Sequence, residues 1–137
     1  MIDRPITKKR YEQDDVDYST YMNIPERTIF LAHVGEKVAG QIILRKNWNK
    51  YAYVEGIVVD LGFRRLGIDQ ALISQAKRWA LERQFPGIML ETQNNNVRAC
   101  KFYEACGSKI SGFDNNLYKG IDAKTDEVAL YWYFHFN

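Results

Sequence analysis

Arg64, Arg65 and Gly67 stand between a strand-like run, Tyr51–Asp60, and a helix-like one, Gly67–Phe85. The chemistry open to them is anion binding. A helix start offers N–H groups with no partner in the helix, at the positive end of the helix dipole, which suits a phosphate. A glycine lets a ligand come close to the backbone, and arginines add charge and paired donors. Taken alone, this loop also fits a solvated strand-to-helix connection. A second set, Asn96, Ala99, Phe102, Tyr103 and Gly107, follows the short strand Ile88–Thr92. Asn96 suits the cap of the helix that starts there. Metal chemistry has little support. His33 and His135 each lie inside a strand-like run, and Cys100 and Cys106 are six apart on one helix, off a common face.

The elements that must position these residues follow from periodicity. Thr28–Val34 and Val38–Arg45 are apolar runs joined by Gly35-Glu36-Lys37, a hairpin signal. Tyr51–Asp60, rich in Val, Ile and Tyr, is a third strand. Leu61–Leu66 is a loop. In Gly67–Phe85, Ile68, Leu72, Ala76, Trp79 and Ala80 recur at helical steps, and Pro86-Gly87 stops the helix. Ile88–Thr92 is a strand and Asn96–Cys106 a second helix, stopped by Gly107. Ser108–Asp114 is a strand, 115–126 a loop, and Glu127–Phe136 a long aromatic strand. The order β-β-β-α-β-α-β-β points to an α+β, or mixed α/β, fold.

At 137 residues the chain fits one domain, with a short polar N-terminal segment at 1–27 and a core at 28–136. The acidic residues Asp14, Asp15 and Asp17 and several tyrosines leave room for a short helix in the first segment. Hydrophobic residues make up 46%, enough for a sizeable core. A net charge of +2 gives no basic stripe for nucleic acid. No apolar run reaches membrane-spanning length, and the polar start lacks a secretory pattern. Two cysteines make no disulfide framework, so a cytoplasmic protein is expected, as monomer or homodimer.

The two loops, in this order, resemble the acetyl-CoA-binding motifs of the GNAT superfamily of N-acetyltransferases. Arg64 and Gly67 match its Gln/Arg-x-x-Gly-x-Gly/Ala loop. Four segments look like the streptothricin (nourseothricin) acetyltransferases: 44–55, 89–93, 99–103 and Trp132-Tyr133. The likeness runs from Thr28 to Phe136. It implies a twisted mixed sheet of about six strands flanked by helices, here with a shortened N-terminal part.

The resemblance also implies roles. Ile57, Val58 and Val59 would pair with the pantetheine arm of acetyl-CoA on a strand splayed from its neighbour. Arg64, Arg65, Leu66, Gly67, Ile68, Asp69 and Gln70 would hold the pyrophosphate. Asn96 would bond the arm or the phosphates. Glu55 would be the base that deprotonates the acceptor ammonium, and the Tyr103 hydroxyl would protonate the departing thiolate. Transfer would be direct, to a primary amine of a small cationic molecule such as the β-lysine of streptothricin. Glu91 and the acidic cluster are further carboxylates for that cation, and Trp48, Tyr51, Tyr53 and Trp132 are candidate aromatic walls. Asp69 departs from the motif's Gly or Ala, Gly56 from an acidic residue and Ser108 from a phenylalanine. Asp69, Gly56 and the shortened N-terminal part also motivate an alternative, a catalytically impaired GNAT fold serving as a binding or vestigial module.

Overall fold

The computed structural model describes Thr7–Lys8 and residues 26–136. The acidic cluster at Asp14, Asp15 and Asp17, and the short helix expected beside it, lie outside the described residues. A two-residue strand β1 (Thr7–Lys8) precedes β2 (Arg27–Val34), β3 (Lys37–Lys46) and β4 (Ala52–Val59). Helix α1 (Ile68–Glu82), β5 (Gly87–Gln93), helix α2 (Val97–Ala105), β6 (Lys109–Asp114) and β7 (Ala129–His135) follow. Short 3-10 turns sit at Leu61–Phe63 and Tyr118–Gly120. The strands form one mixed sheet in the order β1-β2-β3-β4-β5-β7-β6. Beyond the strands read from sequence, Thr7–Lys8 adds an edge; two residues are too few to show alternation. Among the described residues, no helix is long and apolar enough to cross a membrane.

The stripe on α1 is buried as its spacing requires: Ile68, Leu72, Ile73, Ala76, Trp79 and Ala80 all face inward. The helix closes earlier than Pro86-Gly87 suggested. Gln84 takes a left-handed φ of 61°. The amides of Gln84 and Phe85 reach back to the carbonyls of Leu81 and Ala80. This is the Schellman pattern, and its usual apolar contact is present as the edge-on pair Trp79–Phe85, 5.4 Å between centroids. Lys77 ties α1 to the end of α2: its Nζ donates to the Cys106 carbonyl at 2.8 Å and lies over the Phe134 ring.

Two features of the sheet decide where an opening can form. The β3–β4 register steps from Leu44–Val54 to Ile43–Gly56, so Glu55 is an extra residue in β4. Such a bulge bends the strand and resets its alternation. Ala52 and Val54 before it, and Ile57 and Val59 after it, therefore all pack on the one core beneath the helices. Strand β5 is held on its other side by an unbroken antiparallel ladder to β7, from Gly87–His135 to Gln93–Ala129. Its parallel pairing with β4 covers only Ala52–Ile88 and Tyr53–Met89. Beyond Tyr53 the two strands part.

Gly87 anchors the β5 side of that divergence. A Cβ there would stand 1.9 Å from the Phe134 carbonyl oxygen. We expect Gly87→Ala to lower unfolding stability by about 3 kcal/mol, the upper end of overpacking costs. Urea denaturation at unchanged m-value reads this; a loss below about 1 kcal/mol contradicts so close a packing.

Candidate active site

Where β4 leaves β5, a cavity of about 340 Å³ opens. Ile57 and Val59 of β4 form one wall. Phe63, Arg64, Arg65, Ile68 and Asp69 form the second, and Asn96, Arg98, Ala99, Phe102 and Tyr103 the third. Three segments far apart in sequence meet here because the diverging strands leave room between the starts of α1 and α2. The β4 backbone past Tyr53 keeps donors and acceptors that β5 does not take up, a template for an extended amide-bearing chain.

The loop before α1 is shaped for close approach. Arg64 is extended at φ −66°, Arg65 is left-handed at φ 68° and Gly67 is left-handed at φ 77°. A non-glycine residue with positive φ costs on the order of 1 kcal/mol and concentrates at functional sites. Gly67 is the N-cap of α1 and has no side chain to bond the first turn. The first ladder bond of the helix runs from the Ala71 amide to the Gly67 carbonyl. The amides of residues 68–70 are thus left over from the helix's own ladder. Arg64, Arg65 and Arg98 border the same space, and none of them is in an ion pair among the described residues.

Asn96 caps α2: its Oδ1 accepts from the Ala99 amide at 3.2 Å. Its side chain also borders the cavity, so capping and ligand contact share one residue. Tyr103, two turns on, is 7% exposed. Its ring packs against Phe102 and, at 6.3 Å, Trp132. Burial above all, then Cys106 and Asp69, pushes its phenol up to about 12. The hydroxyl therefore stays protonated at neutral pH and can donate.

Of the residues singled out in the sequence, Ile57, Val59, Arg64, Arg65, Ile68, Asp69, Asn96 and Tyr103 come together here. Val58, Leu66, Gly67 and Gln70 do not line the cavity; the Val58 side chain is 59% exposed, between its two core-facing neighbours. Glu55 is also elsewhere. Its carboxylate pairs with the Arg45 guanidinium at 3.3 Å, and that guanidinium lies over Tyr53. Glu91, in register with Tyr131, accepts the Tyr118 hydroxyl. Burial first, then Glu91, raises the Tyr53 and Tyr131 phenols. Glu55, Glu91, Tyr53, Tyr118 and Tyr131 thus gather on the sheet face away from the helix-side core.

Trp132 is not an aromatic wall of that face. It is 3% exposed, and its indole donates to the Thr92 hydroxyl at 2.9 Å. It stands opposite Leu90 in the β5–β7 ladder, and that position faces the core. Trp48 is 90% exposed in the β3–β4 turn, and Tyr51 bonds His135 at 2.9 Å. Sequence reading gave no ligand role to Arg98 or Phe63. Arg98 carries a weak signal, a cation in the first turn of a helix, where charge is locally unfavourable. Among the described residues there is no group of three potential metal ligands.

Comparison with known proteins agrees with this geometry. The model of the acetyltransferase (GNAT) family matches residues 2–108. Streptothricin acetyltransferase A of Bacillus subtilis is 39% identical over 93% of this chain and 73% of its own length. Streptothricin acetyltransferase of Escherichia coli is 38% identical over 95% and 71%. The acetyl-coenzyme A complex of a Bacillus anthracis protein assigned to the streptothricin acetyltransferases superposes with a TM-score of 0.84. It is 55% identical, over 89% of this chain and 69% of that one. A split sheet, an arginine-glycine helix start and a buried tyrosine are thus found in a chain that belongs to the GNAT acetyltransferase family.

Proposed function

We propose that this protein transfers the acetyl group of acetyl-CoA to a primary amine of a small cationic substrate, the β-lysine amino group of streptothricin being the first candidate. The observation that carries the reading is the unpaired β4 edge, which borders the same cavity as the arginine loop and Tyr103. The donor supplies a thioester already activated for attack, so no covalent enzyme intermediate is required. The chain's own residues fit it: the β4 backbone bonds the amide-bearing arm, and the α1 amides with Arg64, Arg65 and Arg98 hold the phosphates.

The acceptor is received from the other face of the sheet. Glu55 and Glu91 supply negative charge there, and Tyr53, Tyr118 and Tyr131 supply aromatic faces, which together suit an ammonium group. Only the neutral amine is nucleophilic, so a carboxylate must take its proton first. Glu55 is assigned that step. It sits on that face, on the bulge two residues past the last β4–β5 pair. Tyr103 works from the opposite side. An ordinary thiol titrates near ~8.5, below the value of about 12 for Tyr103. Full proton transfer to the departing sulfur would be uphill, so the phenol stabilises it as a hydrogen-bond donor.

Purified protein is expected to acetylate streptothricin in the presence of acetyl-CoA, read by thiol release and product mass. Folded protein that acetylates neither streptothricin nor any amine of a broad panel contradicts the reading. Tyr103→Phe should lower kcat by about 10²–10³-fold, the cost of one lost hydrogen-bond donor, while coenzyme A binding persists. Glu55→Gln should cost a similar factor, with the loss shrinking as pH rises and free amine accumulates. A pH-independent loss would make Glu55 a binding residue rather than a base.

Tyr103 also makes an alkaline prediction. Its folded pKa lies above the unfolded value near 10, so the folded state holds the proton longer. The stability due to the neutral phenol is fully present below about pH 10 and is lost as pH rises toward 12. Two units correspond to about 3 kcal/mol. Wild type should lose that much more than Tyr103→Phe across this window; parallel curves would contradict the buried phenol.

A further inference from the structure

Asp69 is the second residue of α1 and borders the cavity beside Arg64 and Arg65. Its carboxylate does not pair with either arginine or with Arg98; among the described residues it is in no ion pair. Instead its Oδ1 accepts from the Gln70 amide at 2.8 Å. That amide belongs to the first turn of the helix, and the side-chain-free N-cap Gly67 cannot satisfy it. A carboxylate is at home there, because it meets both an orphan donor and the positive end of the dipole. The same two properties make this turn suitable for a phosphate. Asp69 and an anionic ligand therefore seek the same donor. The field of the carboxylate reaches into the cavity, since it helps to hold both the Tyr103 phenol and the Cys106 thiol protonated.

We infer that Asp69 is a built-in competitor for the pyrophosphate of acetyl-CoA, and that its carboxylate must leave the Gln70 amide before the phosphates can seat on α1. The inference rests on the acetyl-CoA reading above and concerns how tightly that site holds its ligand. Arg64, Arg65 and Arg98 outweigh the one negative charge, so Asp69 weakens binding rather than abolishing it. The pyrophosphate takes no part in bond making. Its contacts are alike in donor complex, transition state and released coenzyme A. Removing the competitor is therefore a change in uniform binding: KM for acetyl-CoA falls, and kcat stays level or drops if release of coenzyme A becomes slower.

The test is calorimetric titration of wild type, Asp69→Gly and Asp69→Asn with two probes, coenzyme A and S-acetyl-pantetheine. The second probe has the arm and the thioester but no phosphate. Coenzyme A should bind Asp69→Gly about tenfold more tightly than wild type at low ionic strength. Asp69→Asn, neutral but still able to accept from the Gln70 amide, should fall between them. S-acetyl-pantetheine should bind all three alike. Thermal melting checks that the variants are folded. Equal or weaker coenzyme A binding by folded Asp69→Gly overturns the inference while leaving the acetyl-CoA reading in place. A gain of equal size for the phosphate-free probe also overturns it, because the effect would then lie in the shape of the cavity. No binding of coenzyme A by any of the three overturns the acetyl-CoA reading itself, and this inference with it.

Discussion

The parting of β4 from β5 is the constraint on which the rest of the structure depends. A parallel pair inside a sheet ordinarily satisfies both strands along their length, because buried N–H and C=O groups left without partners are costly. Here the pair lasts for two positions and stops. The extra residue Glu55 bends β4. The uninterrupted β5–β7 ladder holds β5 to a different course. Gly40 lets α1 settle hard against the β4 side: a Cβ there would stand 2.8 Å from the Val58 carbonyl and near Ile68 and Leu72. The fold thus keeps an open strand edge at the centre of its sheet, which invites an extended ligand to complete it.

Charge is divided across that opening. On the helix side three arginines and the first-turn amides of α1 oppose one carboxylate, Asp69. On the far side Glu55 and Glu91 stand among tyrosines, partly answered by Arg45 and the Tyr118 hydroxyl. An anionic donor and a cationic acceptor would each meet the complementary face, and the reacting groups would meet at the gap between strands. Tyr103 belongs to the core as much as to the site, which is why its phenol is so weak an acid.

Much of this was legible in the sequence. The stripe Ile68, Leu72, Ala76, Trp79 and Ala80 placed α1, and most strand limits fall within a residue or two, because apolar periodicity reports burial directly. Gly56, a glycine inside a strand run, lies one residue from the bulge at Glu55. Pairing was not legible, since nothing in Glu127–Phe136 says that it inserts between β5 and β6. Trp132 is a candidate wall in the sequence because strand aromatics do not announce their face; only the register with Leu90 does so. The loop 115–126 gave no sign that Tyr118 would dock on Glu91, a contact between residues 27 apart. Arg98 enters the site only through the meeting of two helix starts, which a one-dimensional pattern does not contain.

The central claim is that the open β4 edge is the binding surface for the donor's amide-bearing arm. Residue-resolved amide hydrogen exchange, with and without saturating coenzyme A, tests it most directly. The account predicts slowed exchange within Ile57–Val59 together with residues 68–70, and little change along the β5–β7 ladder. Saturable binding that leaves both segments unchanged would contradict it.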